Sequence, residues 1–140
     1  MLPLRFVLDT NVIVSGALNP IGLERTALTV ALTAPARLYV SDEILAEYRE
    51  VIARPALHIN AEEQERLIHM IANRSYLVRR TVEITFCPDP DDDIFLECAD
   101  ACRADYLVTG NKRHFPAFWK STKVVNSREL MAIIAPHLRR

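Results

Sequence analysis

The chain is poor in glycine, with 3 in 140 residues, which leaves little room for long flexible loops. Neither a P-loop nor a G-x-G-x-x-G turn occurs, so nucleotide binding through those glycine-rich cradles is excluded. No apolar run reaches the roughly 18–20 residues of a membrane span. Met1-Leu2-Pro3-Leu4-Arg5 leads directly into an apolar segment and has no signal-peptide pattern, so the expectation is a cytoplasmic protein. An excess of one charge is also missing. With 17 Lys and Arg against 18 Asp and Glu, the net charge is −1, not the basic balance of a protein that holds nucleic acid by overall charge. A local source such as Asn111-Lys112-Arg113-His114 remains. The cysteines, Cys87, Cys98 and Cys102, are odd in number and read as small buried residues, although Cys98 and Cys102 share a helical spacing. His58, His69, His114 and His137 lack metal-ligand spacing, and no Ser-His-Asp order is readable.

What is present is an alternation of short apolar runs with amphipathic segments. Arg5 to Leu8 reads as a fully buried strand, followed by a helix over Asn11 to Leu18, which the turn Asn19-Pro20-Ile21-Gly22 breaks. A second helix covers Leu23 to Thr33 and ends before Pro35, and Arg37 to Val40 is a strand. Ser41 or Asp42 caps the next helix, whose inner face carries Ile44, Leu45, Tyr48, Val51 and Ile52 and which stops near Arg54-Pro55. Glu62 to Arg74 is amphipathic, with Leu67, Ile68 and Ile71 inward. Leu77 to Thr85 reads as extended, Asp91 to Ala104 as helix, and Tyr106 to Thr109 and Lys123 to Asn126 as strands. Ser127 is expected to cap a last helix, Arg128 to Ile134, ended by Pro136. Strands too apolar to face water, alternating with helices, predict one α/β domain over residues 1–140. Its parallel sheet would be flanked by helices on both faces, with a ligand at the carboxyl ends of the strands.

Carboxylates gather at those ends. Asp9 follows Val7-Leu8 directly, where it can also serve as a helix N-cap. Glu43 and Glu47 share one helix. On a helical wheel Glu47 borders the apolar stripe centred near Tyr48, and Glu43 lies toward solvent. In the run Asp89-Pro90-Asp91-Asp92-Asp93, Asp92 lies nearer the stripe of Phe95, Leu96, Ala99 and Cys102. Asp92 is therefore expected to point inward. Asp93 is expected to turn toward water with Glu97 and Asp100, and Asp89 and Asp91 read as turn and cap residues. Asn111 follows the strand Tyr106 to Thr109, where it and Thr109 can hydrogen-bond into the same place. Buried carboxylates are costly to gather without a cation, which points to a divalent-metal site and to nuclease chemistry.

Three stretches carry a resemblance. Phe6 to Gly16 (FVLDTNVIVSG), Ser41 to Pro55 (SDEILAEYREVIARP) and Pro88 to Phe115 (PDPDDDIFLECADACRADYLVTGNKRHF) are together similar, in order and spacing, to the PIN domain, the VapC-like ribonuclease fold of many toxin–antitoxin toxins. The resemblance implies an acidic cluster that binds Mg2+ or Mn2+ and hydrolyses RNA. Asp9 would be the first acidic position, Glu47 the second, and Asp92 or Asp93 the third. It also implies an antitoxin protein that blocks the site, and a homodimer. Asn111 departs from the pattern, because many members carry Asp there, and the neutral side chain puts a second metal position in question. Lys112, Arg113 and Arg54 are the candidates for RNA phosphate contacts.

Other readings compete. An aspartyl-nucleophile phosphatase wants a second Asp where Asn11 stands, and a receiver domain wants a lysine placed differently from Lys112. A PIN fold retained as an RNA-binding or protein-interaction module, with little or no activity, is the main alternative.

Overall fold

Three consecutive residues of the first strand, Phe6, Val7 and Leu8, are all fully buried. Successive side chains of a strand point to opposite faces, so this sheet is covered on both sides. The structure, a computed structural model, describes residues 3–138, and Met1, Leu2, Arg139 and Arg140, the ends of the 1–140 assignment, lie outside them. The order is β1 (Arg5–Leu8), α1 (Thr10–Leu18), α2 (Leu23–Leu32), β2 (Arg37–Val40), α3 (Asp42–Ile52), α4 (Ala61–Arg74), β3 (Tyr76–Leu77), α5 (Asp93–Cys102), β4 (Tyr106–Val108), β5 (Phe118–Trp119), β6 (Thr122–Val125) and α6 (Ser127–Leu138). Short 3₁₀ turns lie at Pro55–Leu57, Pro90–Asp92 and Lys112–His114.

The six strands run in the order β3-β2-β1-β4-β6-β5. All neighbours are parallel except β5, which pairs antiparallel with β6 at one edge. That edge hairpin turns at Lys120, whose φ of 51° lies in the left-handed region without a glycine to favour it, and the sequence carries no conventional turn signal there. The chain leaves β1 toward β2 on one side and later reaches β4 on the other. The sheet therefore has its topological switch point between β1 and β4, and the crevice beyond their carboxyl ends is where open α/β sheets take ligands. The core packs Phe6, Leu8, Ile13, Leu28, Leu38, Tyr48, Ile71, Phe95 and Leu96 against both faces. Among the described residues no helix is long and apolar enough to cross a membrane.

Several sequence expectations are corrected. Of the segment expected to be extended, Leu77 to Thr85, only Leu77 lies in a strand, in β3 with Tyr76, and the last ladder bond runs from the Val78 amide to the Val40 carbonyl at 2.8 Å. Beyond it the backbone donors go to carboxylates on α5. The Ile84 amide donates to Glu97 Oε2 at 2.9 Å, and the Phe86 and Cys87 amides donate to Asp93 Oδ1 at 3.2 and 2.8 Å. The face of α5 expected to meet water is thus covered by the segment it anchors. Helix α5 itself ends at Cys102, with Arg103 in a left-handed cap. The cap of α6 is Asn126, not Ser127. The Glu129 amide donates to Asn126 Oδ1 at 2.8 Å and the Asn126 amide donates to Glu129 Oε1 at 2.9 Å, a reciprocal capping box. Helix α6 also runs past Pro136 to Leu138, since losing one amide donor so near a helix end costs little.

At the far end of α5, Asp100 accepts from Trp119 Nε1 at 3.1 Å and pairs with Lys120 Nζ at 2.5 Å, tying β5 to the helix. The Lys120 contact holds the Asp100 carboxyl below its ordinary range. A depressed carboxyl pKa contributes stability above the unfolded value of about 3.9 and loses it as pH falls through the lower folded value. Asp100→Asn is expected to cost about 1.5–3 kcal/mol at neutral pH. In urea unfolding at stepped pH the gap to wild type should narrow below about pH 4. A gap that stays constant through that range would show that the charge is not its source.

Candidate active site

The site is built on the register of β1 against β4. Leu8 pairs with Val108, so the next residues, Asp9 and Thr109, emerge side by side at the carboxyl ends of these strands. The Asp9 amide donates to the Val108 carbonyl at 2.9 Å, and the Thr109 hydroxyl donates to Asp9 Oδ2 at 2.7 Å. Asp9 Oδ1 accepts the Thr10 amide at 2.7 Å and caps α1, so the capping and site-facing readings of Asp9 are compatible. Asn11 Nδ2 donates to Asp9 Oδ2 at 3.1 Å, and Asn11 Oδ1 accepts the Gly110 amide at 3.0 Å. Asn11 therefore clamps the start of α1 to the turn after β4.

Helix α3 brings Glu47 to the same end of the sheet. Ser41, at the end of β2, accepts the Ile44 amide and sets the helix start. Tyr48 is fully buried, and its hydroxyl donates to the Leu8 carbonyl at 2.5 Å, fixing α3 to the peptide that precedes Asp9. Glu47 is half-buried beside it and accepts from the Thr10 hydroxyl, while Glu43 is exposed, in the order the helical wheel gives.

At the start of α5 the wheel holds for Asp92, which turns inward with 16% of its side chain exposed, and fails for Asp93. Asp93 is 5% exposed, and its Oδ1 is occupied by the Phe86 and Cys87 amides. The wheel could not register that residues 78–87 fold back over this face. Asp92 Oδ2 is shielded from solvent and has no hydrogen-bond partner among the described residues. The nearest base is His114, with Nδ1 3.5 Å from Asp92 Oδ2. Asp89 Oδ1 accepts the Asp91 amide at 2.9 Å, the turn-and-cap role expected of this pair.

These carboxylates repel one another. Burial raises the Asp9 carboxyl above its ordinary range, and Glu47 adds to the shift, while the bonds from Thr109 and Thr10 pull it down. Burial also raises Glu47, with Asp91 and Asp92 adding to it against the Thr10 bond. Asp92 is pushed up to about 6, by burial first and then by the charges of Asp9 and Asp89, with His114 opposing. The set is hard-oxygen and short of positive charge, which suits a divalent cation bound by carboxylate oxygen and water. Among the described residues no three His, Cys, Asp or Glu side chains stand close enough to hold an ion alone. Water would therefore have to complete the ion's shell.

The sequence model of the PIN domain matches residues 5–113. The chain belongs to the PIN-domain family. Its relatives include the uncharacterized protein MJ1680 of Methanocaldococcus jannaschii, 26% identical over 112 residues that cover 78% of this chain and 72% of that protein. Among solved structures, VapBC-1 from nontypeable Haemophilus influenzae is similar at a TM-score of 0.61 and 17% identity, covering 89% of this chain and 99% of that one. DNA-bound VapBC from Salmonella typhimurium is similar at 0.61 and 16%, covering 89% and 98%. VapBC2 from Rickettsia felis, bound to a promoter DNA fragment, is similar at 0.57 and 15%, covering 88% and 98%. At these identities the likeness establishes the fold.

The remaining expected residues of this PIN domain separate by place. Asn111 is exposed, and its backbone amide donates to Thr109 Oγ1 at 3.0 Å. Lys112 Nζ is held by both oxygens of Glu129 at 2.8 Å, and Arg54 by Glu50 at 2.9 Å, so neither points a free charge at the carboxylates. Arg113 is exposed, with no ion pair among the described residues. Sequence reasoning gave no site role to Thr10, Asn11 or His114. Thr10 and Asn11 sit in the same motif as Asp9, but their partners Glu47 and Gly110 lie on other elements. His114 was counted as part of a basic cluster and among the histidines without metal-ligand spacing.

Proposed function

We propose that this PIN domain is a metal-dependent endoribonuclease and the toxin member of a toxin–antitoxin pair. The observation that carries this reading is the partnerless Asp92 Oδ2 beside Asp9 and Glu47, whose carboxyls are raised by burial and by one another, at the switch point of the sheet. Asp9, Glu47 and Asp92 would hold Mg2+ or Mn2+, partly through water. When bound, such an ion supplies a Lewis acid for a phosphoryl oxygen and lowers the pKa of a water. Asp9 is held for this by Thr109 and Asn11, and Glu47 by Thr10, so the carboxylates need little rearrangement. Asp93 keeps the 78–87 segment in place. Of the three basic candidates for an RNA phosphate, Arg113 has no ion pair among the described residues, and Lys112 and Arg54 could serve only by leaving exposed carboxylate partners. The VapBC likenesses support an antitoxin as partner, a homodimer is carried over from the same family, and the cytoplasm is the compartment in which such a protein would meet RNA.

The test is incubation of a mixed RNA pool with the protein in Mg2+, Mn2+ or EDTA, with melting temperatures recorded alongside. Cleavage is expected with either ion and not in EDTA. An ion at one hundred times its dissociation constant should stabilise the fold by about 2.7 kcal/mol, read as a rise of several degrees. Intact RNA in every condition, from a protein that melts cooperatively, would instead favour an RNA-binding or protein-interaction module.

A further inference from the structure

We infer that His114 is itself a ligand of the proposed cation, through Nδ1. Its nitrogen makes the site select a first-row transition-metal dication over Mg2+. The inference rests on the metal-nuclease reading and adds to it a residue and a preference.

Two features of the geometry point this way. The first is the distance of 3.5 Å between His114 Nδ1 and Asp92 Oδ2. A nitrogen-to-oxygen hydrogen bond falls at about 2.7–3.2 Å, so this pair is too far apart for a good one. It matches the spacing of two atoms that share one ion, since ligands each about 2.0–2.2 Å from a metal stand roughly 3.0–3.5 Å apart. The second is that Asp92 Oδ2 is closed off from solvent and has no hydrogen-bond partner among the described residues. An oxygen in that state needs a positive partner, and an ion between it and the imidazole satisfies both side chains.

The imidazole is delivered by the fold. His114 closes the 3₁₀ turn Lys112–His114 that follows β4, with its amide donating to the Asn111 carbonyl at 3.0 Å. The next residue, Phe115, is buried and packs edge-on against Phe95 of α5 at 6.4 Å between ring centroids. That anchor sets the turn against the helix whose start carries Asp92. The His114 side chain is 52% exposed, which leaves room for water in the ion's remaining positions. Asn111, which is neutral, stands three residues earlier and is exposed. An all-oxygen shell suits Mg2+, whereas an imidazole nitrogen favours transition ions.

Mn2+ and Mg2+ should be titrated calorimetrically into the full chain and into His114→Gln. Pulsed electron paramagnetic resonance of the Mn2+ complex, with natural-abundance and 15N-histidine protein, reports directly bound nitrogen without relying on a variant. The expected result is a nitrogen coupling that responds to the label and disappears in His114→Gln. Mn2+ affinity should fall at least about ten-fold in the variant, with Mg2+ affinity changing less than about three-fold. Mn2+ that binds without nitrogen coupling, or with a coupling that survives the substitution, overturns this assignment and leaves the metal-nuclease reading standing. A wild-type protein that binds neither ion overturns both, and the absence of RNA cleavage would show this independently.

Discussion

Asp9→Asn is expected to lower metal-dependent RNA cleavage by about 10²–10³-fold, or roughly 3–4 kcal/mol of transition-state stabilisation, while the protein stays folded. The two halves of that result have different origins. The loss follows from removing the charge at the centre of the site, where Asp9 meets Thr109, Asn11 and the repulsion of Glu47. Retention of the fold follows from the raised Asp9 pKa, because a group whose ionised form is disfavoured in the folded state does not destabilise it when made neutral. Asn keeps a carbonyl oxygen for the Thr10 amide and must reorganise its bonds to Thr109 and Asn11. The melting temperature should therefore move by no more than about 4 °C, equivalent to about 1 kcal/mol in a chain of this size. Folded Asp9→Asn protein that cleaves RNA at the wild-type rate would remove Asp9 from the chemistry.

Tyr48→Ala is expected to be the most destabilising of these substitutions. The side chain is fully buried, and deleting a buried aromatic costs about 3–5 kcal/mol through lost transfer energy and the cavity left behind. The Leu8 carbonyl also loses the hydroxyl that bonds it, which adds about 1–3 kcal/mol if water cannot replace it. Against a typical total of about 5–15 kcal/mol, this removes most of the stability. Tyr48→Phe isolates the hydrogen bond, since the ring remains and only the hydroxyl is lost. It should cost about 1–2 kcal/mol in urea unfolding. It should also slow cleavage, because the bond joins α3, which carries Glu47, to the peptide before Asp9. A Tyr48→Phe protein with wild-type stability and rate would mean that ring packing alone positions α3.

The sequence was most readable where one element decided the outcome. The apolar run Phe6 to Leu8 announced a strand buried on both faces, and the stripe Ile44, Tyr48 and Ile52 announced the buried face of α3. The same stripe ordered Glu47 inward of Glu43, since a wheel describes a helix that packs on one side. It failed at Asp93. There a second segment, residues 78–87, covers the polar face of α5 and converts Asp93 and Glu97 from expected surface charges into buried acceptors of backbone amides. Leu77 to Thr85 is free of helix, in keeping with the extended reading, but extended propensity cannot tell whether backbone donors will find a neighbouring strand or a carboxylate.

By itself, then, the sequence determined the alternation of strands and helices, the parallel character of most of the sheet, and the presence of carboxylates where strands end. These follow from local hydrophobic period and from which residues can end a strand or start a helix. Only the tertiary structure decided which oxygens remain available. Register sets Thr109 beside Asp9, the packing of α3 sets Glu47 beside Thr10, and a turn anchored by buried Phe115 sets His114 near Asp92. Whether a carboxylate is free or already bonded depends on atoms from elements far apart in the chain, and no local pattern encodes their distance.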